Sequence, residues 1–147
     1  MNALARRVLV LACMTPDGLI AISSKLLVEH AADRLEAVAR GRGMTVFARV
    51  DHAANASSAG LTLRPTTLLI FGDARVGTAL MQAAQTMGID LPLRVLVWRD
   101  EHDQTWLAYS DPAWLAQRHG AVVDGRITAI TSGLATIIQE AARETST

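Results

Sequence analysis

Cysteine is nearly missing from this sequence. Cys13 is the one thiol among 147 residues, which excludes an intramolecular disulfide and a cysteine-based zinc cluster. Neither charge is in surplus: Lys plus Arg and Asp plus Glu are 14 each, for a formal net charge of zero. A domain that holds duplex nucleic acid normally carries a basic excess, because contacts to phosphate supply much of its affinity. Nucleic acid is therefore not an expected partner. Near-zero net charge also does little to oppose self-association. No apolar stretch approaches the ~18 residues that a membrane-spanning helix needs. Aromatic residues are only 4% of the chain. Trp98, Trp106 and Trp114 are expected as core or dimer contacts rather than as a base-stacking platform.

Hydrophobic residues are present in quantity, at 50%, which excludes a disordered chain. The length suits one domain with a real core. The segment Met1 to Cys13 reads MNALARRVLVLAC. Arg6 and Arg7 precede an apolar run, and Val10 to Cys13 loosely resembles a lipoprotein cleavage box. The run is shorter than the ~7 apolar residues of a signal segment. The expected organisation is an N-terminal extension over 1–13, one domain over 14–144 beginning near Met14, and a tail over 145–147. The expected location is the cytoplasm, with export or lipid anchoring through Cys13 as the alternative.

The chain is organised around Arg64 to Gly88, RPTTLLIFGDARVGTALMQAAQTMG. Pro65 stands where a strand start tolerates proline. The run Thr66 to Phe71 predicts a strand buried on both faces. Gly72 breaks it, and Asp73 is a good N-cap, because its carboxylate accepts from amides two or three residues on. Val76, Leu80, Ala83, Ala84 and Met87 then share one helical face, and Gly88 is the expected stop. Gly72 to Thr78 is a near match to a phosphate-binding loop, but it lacks the lysine that neutralises the β- and γ-phosphates. It reads as a strand–turn–helix junction. Free amides at a helix start can hold an anion without a lysine, although the Asp73 carboxylate would take that place.

Elsewhere, Gly18 to Ser23 and Met44 to Asp51 read as strands, joined by a helix within Ser24 to Arg42. Gly41 and Gly43 end that helix. His52 to Leu63 reads as a short irregular helix or loop stopped by Gly60. Leu93 to Arg99 and Thr105 to Ser110 form a hairpin whose loop, Asp100 to Gln104, lacks the usual glycine. Asp111-Pro112 opens a short helix that runs to His119. Asp124-Gly125 opens the last one, with Ile127, Ile130, Leu134, Ile137, Ile138 and Ala141 on one face. The order predicts an α+β fold with a mixed or antiparallel sheet and helices on one face.

Several segments together resemble the domain of unknown function, family 302, a group of small bacterial and archaeal domains. They are Gly43 to His52, Leu63 to Thr66 with Phe71-Gly72, Gly77 to Met81, Gly88 to Leu93, Val97 to Asp100, and Tyr109 to Pro112 with Arg118-His119. The resemblance covers about Gly18 to Ile138. It implies an architecture similar to the TATA-binding-protein-like fold, often paired as a homodimer, and no assigned activity. Asp73-Ala74 stands where that family often has Asn-Pro. Leu27 stands where a capping serine is usual, so the first helix is expected to start raggedly. The Met1 to Cys13 segment is not part of the family domain.

Candidate chemistry gathers at two places. Asp51 and His52 end a strand and open a loop, and an acid beside a base can transfer protons near neutral pH. The alternative is that Asp51 caps the next turn and His52 stands half exposed. Tyr109, Asp111 and His119 lie at the end of a strand and a short helix. The expected ligand pocket for a small molecule joins Asp51, His52, Gly72, Asp73, Tyr109, Asp111 and His119. His119 also reads as a helix C-terminal residue favoured by the dipole. A metal site of two histidines and a carboxylate needs converging ligands, and no H-x-x-x-H or H-x-H spacing supports one. No metal and no cofactor is assigned. The leading function is a homodimeric domain that binds a small ligand. The alternatives are an acid–base enzyme using Asp51 and His52, or a metal or cofactor carrier.

Overall fold

A computed structural model describes residues 16–145; the Met1 to Cys13 extension and the Met14 start lie outside the described residues. Strands β1 (Leu19–Ser24), β2 (Thr45–Asp51) and β3 (Thr66–Gly72) are each followed by a helix, α1 (Val28–Gly41), α2 (His52–Ser58) and α3 (Ala74–Ala83); β4 (Leu93–Arg99) and β5 (Thr105–Ser110) then run in succession, before α4 (Pro112–Arg118) and α5 (Gly125–Ala142). A 3-10 helix, Gln85–Ile89, follows α3. The five strands form one sheet in the order β1-β5-β4-β3-β2, and every neighbouring pair is antiparallel. The chain is thus α+β, as its element order predicts.

One sheet face carries the main core. Leu69 pairs with Val95, Val95 with Tyr109, and Tyr109 with Ile20, so these side chains share a face. Against them pack Val28, Ala31, Ala32, Leu35 and Ala39 of α1, and Leu134, Ile137, Ile138 and Ala141 of α5. That spacing of three and four makes each helix one-sided. Burying each large apolar side chain contributes roughly 1.5–3 kcal/mol. A smaller core of Leu80, Met87, Leu115, Ala116 and Ile127 joins α3, the 3-10 helix, α4 and the start of α5.

The opposite face is different. Val50, Leu68, Leu96, Ala108 and Ala21 pair in one row across all five strands. Beside it, Trp98 pairs with Trp106. Neither core cluster includes any of these residues, and Val50, Leu68, Leu96 and both tryptophans are only half-buried. The strand Thr66–Gly72 is therefore covered on one face, not two: Leu69 and Phe71 are fully buried while Leu68 and Ile70 are not. Helices lie on one side of an antiparallel sheet, so an unbroken apolar run does not imply two covers.

Local chemistry fixes most element ends. Asp51, Asp73, Asp111 and Asp124 each cap the next helix, accepting from the amides of Ala54, Arg75, Ala113 and Arg126 at 2.8–3.0 Å. Such caps contribute about 1 kcal/mol apiece. Leu27 at the start of α1 offers no such bond. Residue 88 is not the stop of α3. That helix ends at Ala83, Ala84 is extended, and Gly88 falls inside the 3-10 helix. In the β4–β5 loop, Asp103 takes φ 63°, the left-handed conformation for which a glycine is the usual choice.

Candidate functional site

The end of β3, the helix α3, the segment 88–93 and Ile130 of α5 enclose a cleft of about 320 Å³. Leu80, Met81, Leu91, Pro92, Leu93 and Ile130 form its apolar wall. The register of β2 against β3 shifts between Val46 and Ala48. This bulge leaves Phe47, another lining residue, 55% exposed, as bulges commonly re-aim a side chain. Val76 lines the cleft from the first turn of α3 and is 39% exposed. Its polar side chains are Asp73 and Thr78, and no Lys, Arg or His lines it. The Asp73 carboxylate is already bound to the Arg75 amide at 2.8 Å.

Below the segment 88–93 stands a polar cluster. The Thr86 hydroxyl lies 2.9 Å from Nδ1 of His119, and Nε2 of His119 lies 2.6 Å from the Asp90 carboxylate. Arg118 donates to both Asp90 oxygens at 3.1 and 3.0 Å, and Arg94 reaches the same carboxylate at 3.4 Å. The side chains of His119 and Asp90 are 8% and 12% exposed. A hydroxyl, an imidazole and a carboxylate in line is the arrangement of an activated nucleophile. Here the carboxylate is shared with two arginines, so the group acts as a bracket tying the 3-10 helix to the end of α4. Asp90→Ala should cost about 1–3 kcal/mol, because the buried His119 Nε2 loses its partner. Thermal unfolding checks this, with Asp90→Asn, which keeps an acceptor, falling between the two.

The residues expected to share one pocket divide among separate places. Gly72 and Asp73 line the cleft. Asp51 and His52 do not join them. Asp51 pairs with Thr67 whereas Gly72 pairs with Thr45, which separates them by the strand length, about 16 Å at roughly 3.3 Å per residue. The Asp51 carboxylate caps α2, and His52 is a half-exposed first residue of that helix. Tyr109 is buried in the main core. Burial raises its pKa, and the charge of Asp111 adds to the rise. Asp111 caps α4, and His119 belongs to the bracket. The residues missed from sequence are Phe47, Ile130, Thr86 and Asp90. None of the four carries a local sequence signal for a site.

Among the described residues no group of three His, Cys, Asp or Glu side chains is placed to hold a metal ion. No helix among them is long and apolar enough to cross a membrane.

Comparison with known proteins agrees with this architecture. The family "Domain of unknown function DUF302" matches residues 20–141. The crystal structure of an uncharacterized conserved DUF302 protein from Bacillus stearothermophilus is similar, with a TM-score of 0.69 at 14% identity, covering 86% of this chain and 97% of that one. Two curated relatives are named fluoride-specific ion channel FluC 1. The chain is 46% identical to each over 134 residues, 90% of its own length; it covers 53% of the protein from Brucella suis and 50% of that from Brucella abortus. The chain thus spans about half the length of the curated relatives it matches. The fold, the matched span and the order of elements lead to one statement of kinship: the chain belongs to the DUF302 family of domains of unknown function.

Proposed function

We propose that this chain is a homodimeric domain that binds a small molecule in the cleft beside Gly72 and Asp73. The cleft carries the reading: a concave, mostly apolar site with a few polar groups is the common form of a small-ligand site. The open sheet face supports the dimer. Its unbroken row of Val50, Leu68, Leu96, Ala108 and Ala21, with the Trp98–Trp106 pair, belongs to neither core cluster, and the three larger aliphatics and both tryptophans of that face are only half-buried. A contiguous, partly exposed apolar face on a folded domain suits an interaction surface, and zero net charge does not resist pairing. The working location is the cytoplasm.

Native mass spectrometry of protein purified from its own host tests both parts together. The expected mass is that of two chains plus a small adduct; an adduct-free monomer would sink the proposal. Leu68→Lys puts an unpaired charge in the middle of the open face. Self-association should weaken at least tenfold, about 1.4 kcal/mol, with the monomer still folded. Equilibrium sedimentation reads this, and an unchanged dimer would move the interface elsewhere.

A second reading comes from the relatives named as fluoride-specific ion channels. At 46% identity over 90% of this chain, the matching half of those proteins shares this fold. We infer that the domain there stands beside the channel as a dimerising or ligand-sensing part. The acid–base reading of Asp51 and His52 gains no support, because the carboxylate is committed to capping α2.

A further inference from the structure

We propose that the cleft takes a neutral, apolar molecule and turns away anions, fluoride included; this ligand class rests on the reading of the cleft as a small-molecule site. At about 320 Å³ the space lies at the lower end of the ~300–1,000 Å³ usual for such sites.

Three features select against negative charge. The walls are the side chains of Leu80, Met81, Leu91, Pro92, Leu93 and Ile130, and an ion set against them without a partner keeps its full desolvation cost. No cationic side chain lines the cleft. Arg94 and Arg118 donate to the Asp90 carboxylate and do not line the space. Lastly, the helix start that opens onto the cleft already carries a carboxylate on one of its amides. The Arg75 amide, which would otherwise favour an anion, donates to Asp73 at 2.8 Å. That carboxylate is the one formal charge lining the cleft, and it repels anions. The walls also suit ligands of varied shape, because the Met81 thioether is flexible and polarisable.

The experiment compares two fluorescent probes on the full chain: neutral N-phenylnaphthylamine and anionic anilinonaphthalene sulfonate. Titration calorimetry with sodium fluoride runs beside them. The neutral probe should bind at least about tenfold tighter, and fluoride should give no binding heat. Ile130→Trp fills the cleft from α5, and Val76→Trp fills it from an exposed position that folding tolerates. Either should abolish the neutral-probe signal. Asp73→Asn keeps a capping oxygen but removes the charge, and should narrow the gap between the probes. Equal binding of both probes, lost in the filled variants, would overturn the ligand class and leave the cleft as a binding site. So would fluoride heat lost in those variants. A neutral-probe signal that survives both fillings comes from the open sheet face, and it would overturn the cleft reading itself. Absence of any probe binding would do the same.

Discussion

Alanine at position 18 should destabilise the domain by about 2–5 kcal/mol, from roughly 1–2 for the left-handed backbone and 1–3 for overpacking. Gly18 has φ +75°, and a methyl group built there would lie 2.2 Å from Cδ2 of Trp114. The ring would have to move, yet it packs into the smaller core beside Leu115 and Ala116. The backbone cannot easily yield instead, because the Gly18 carbonyl accepts from the Asp111 amide at 2.8 Å. Gly43 supplies the control. Its φ is +77°, but nothing lies within 4 Å of the added methyl, so Gly43→Ala should show the backbone cost alone. Urea midpoints at constant slope measure both. Equal losses would mean that Trp114 does not press on Gly18.

Phe71→Ala should cost about 3–5 kcal/mol, the usual range for emptying a buried aromatic site. Phe71 is fully buried, pairs with Val46 and Leu93 and faces the α1 and α5 core. Native stability is only about 5–15 kcal/mol, so the variant should unfold at far lower denaturant. Its neighbour Ile70 points to the open face. Ile70→Ala should cost clearly less, and if the proposed dimer covers that face with a second copy, its loss should depend on protein concentration. Matching, concentration-independent losses would mean that β3 is enclosed on both sides within one chain.

Much of this fold is written locally. Asp73, Asp111 and Asp124 stand one residue ahead of their helices, and a cap acts within three residues, so no distant contact is needed to read it. The face of α5 is legible because Ile127, Leu134, Ile137, Ile138 and Ala141 repeat at helical spacing. Other features depend on what folds against what. The spacing of Leu80, Ala84 and Met87 continues past the end of α3, and nothing local reveals that Ala84 turns extended. The single cover on β3 depends on which side the helices take, which its own residues do not specify. The bracket is the clearest case. Thr86, Asp90 and His119 meet only because the 3-10 helix packs on α4, and their sequence spacing has no period. Gly72 and Asp73 were identifiable as a junction, but Phe47 and Ile130 come to the same cleft from a strand bulge and from the last helix.

The sheet order also governs how the chain can assemble during synthesis. Among the described strands β1 comes earliest and pairs only with β5, while the Ser24 hydroxyl at its end bonds to the carbonyl of Ala142, 118 positions away. Contacts of such high sequence separation are slow to form, because the intervening loop must close first. During synthesis β1 therefore waits until β2, β3 and β4 have been made before its partner exists. The β2–β3–β4 meander, made of near neighbours, can pair early and wait. The N-terminal edge should then be the last part to lock, and in a longer protein it would be the part most open to capture by a chaperone.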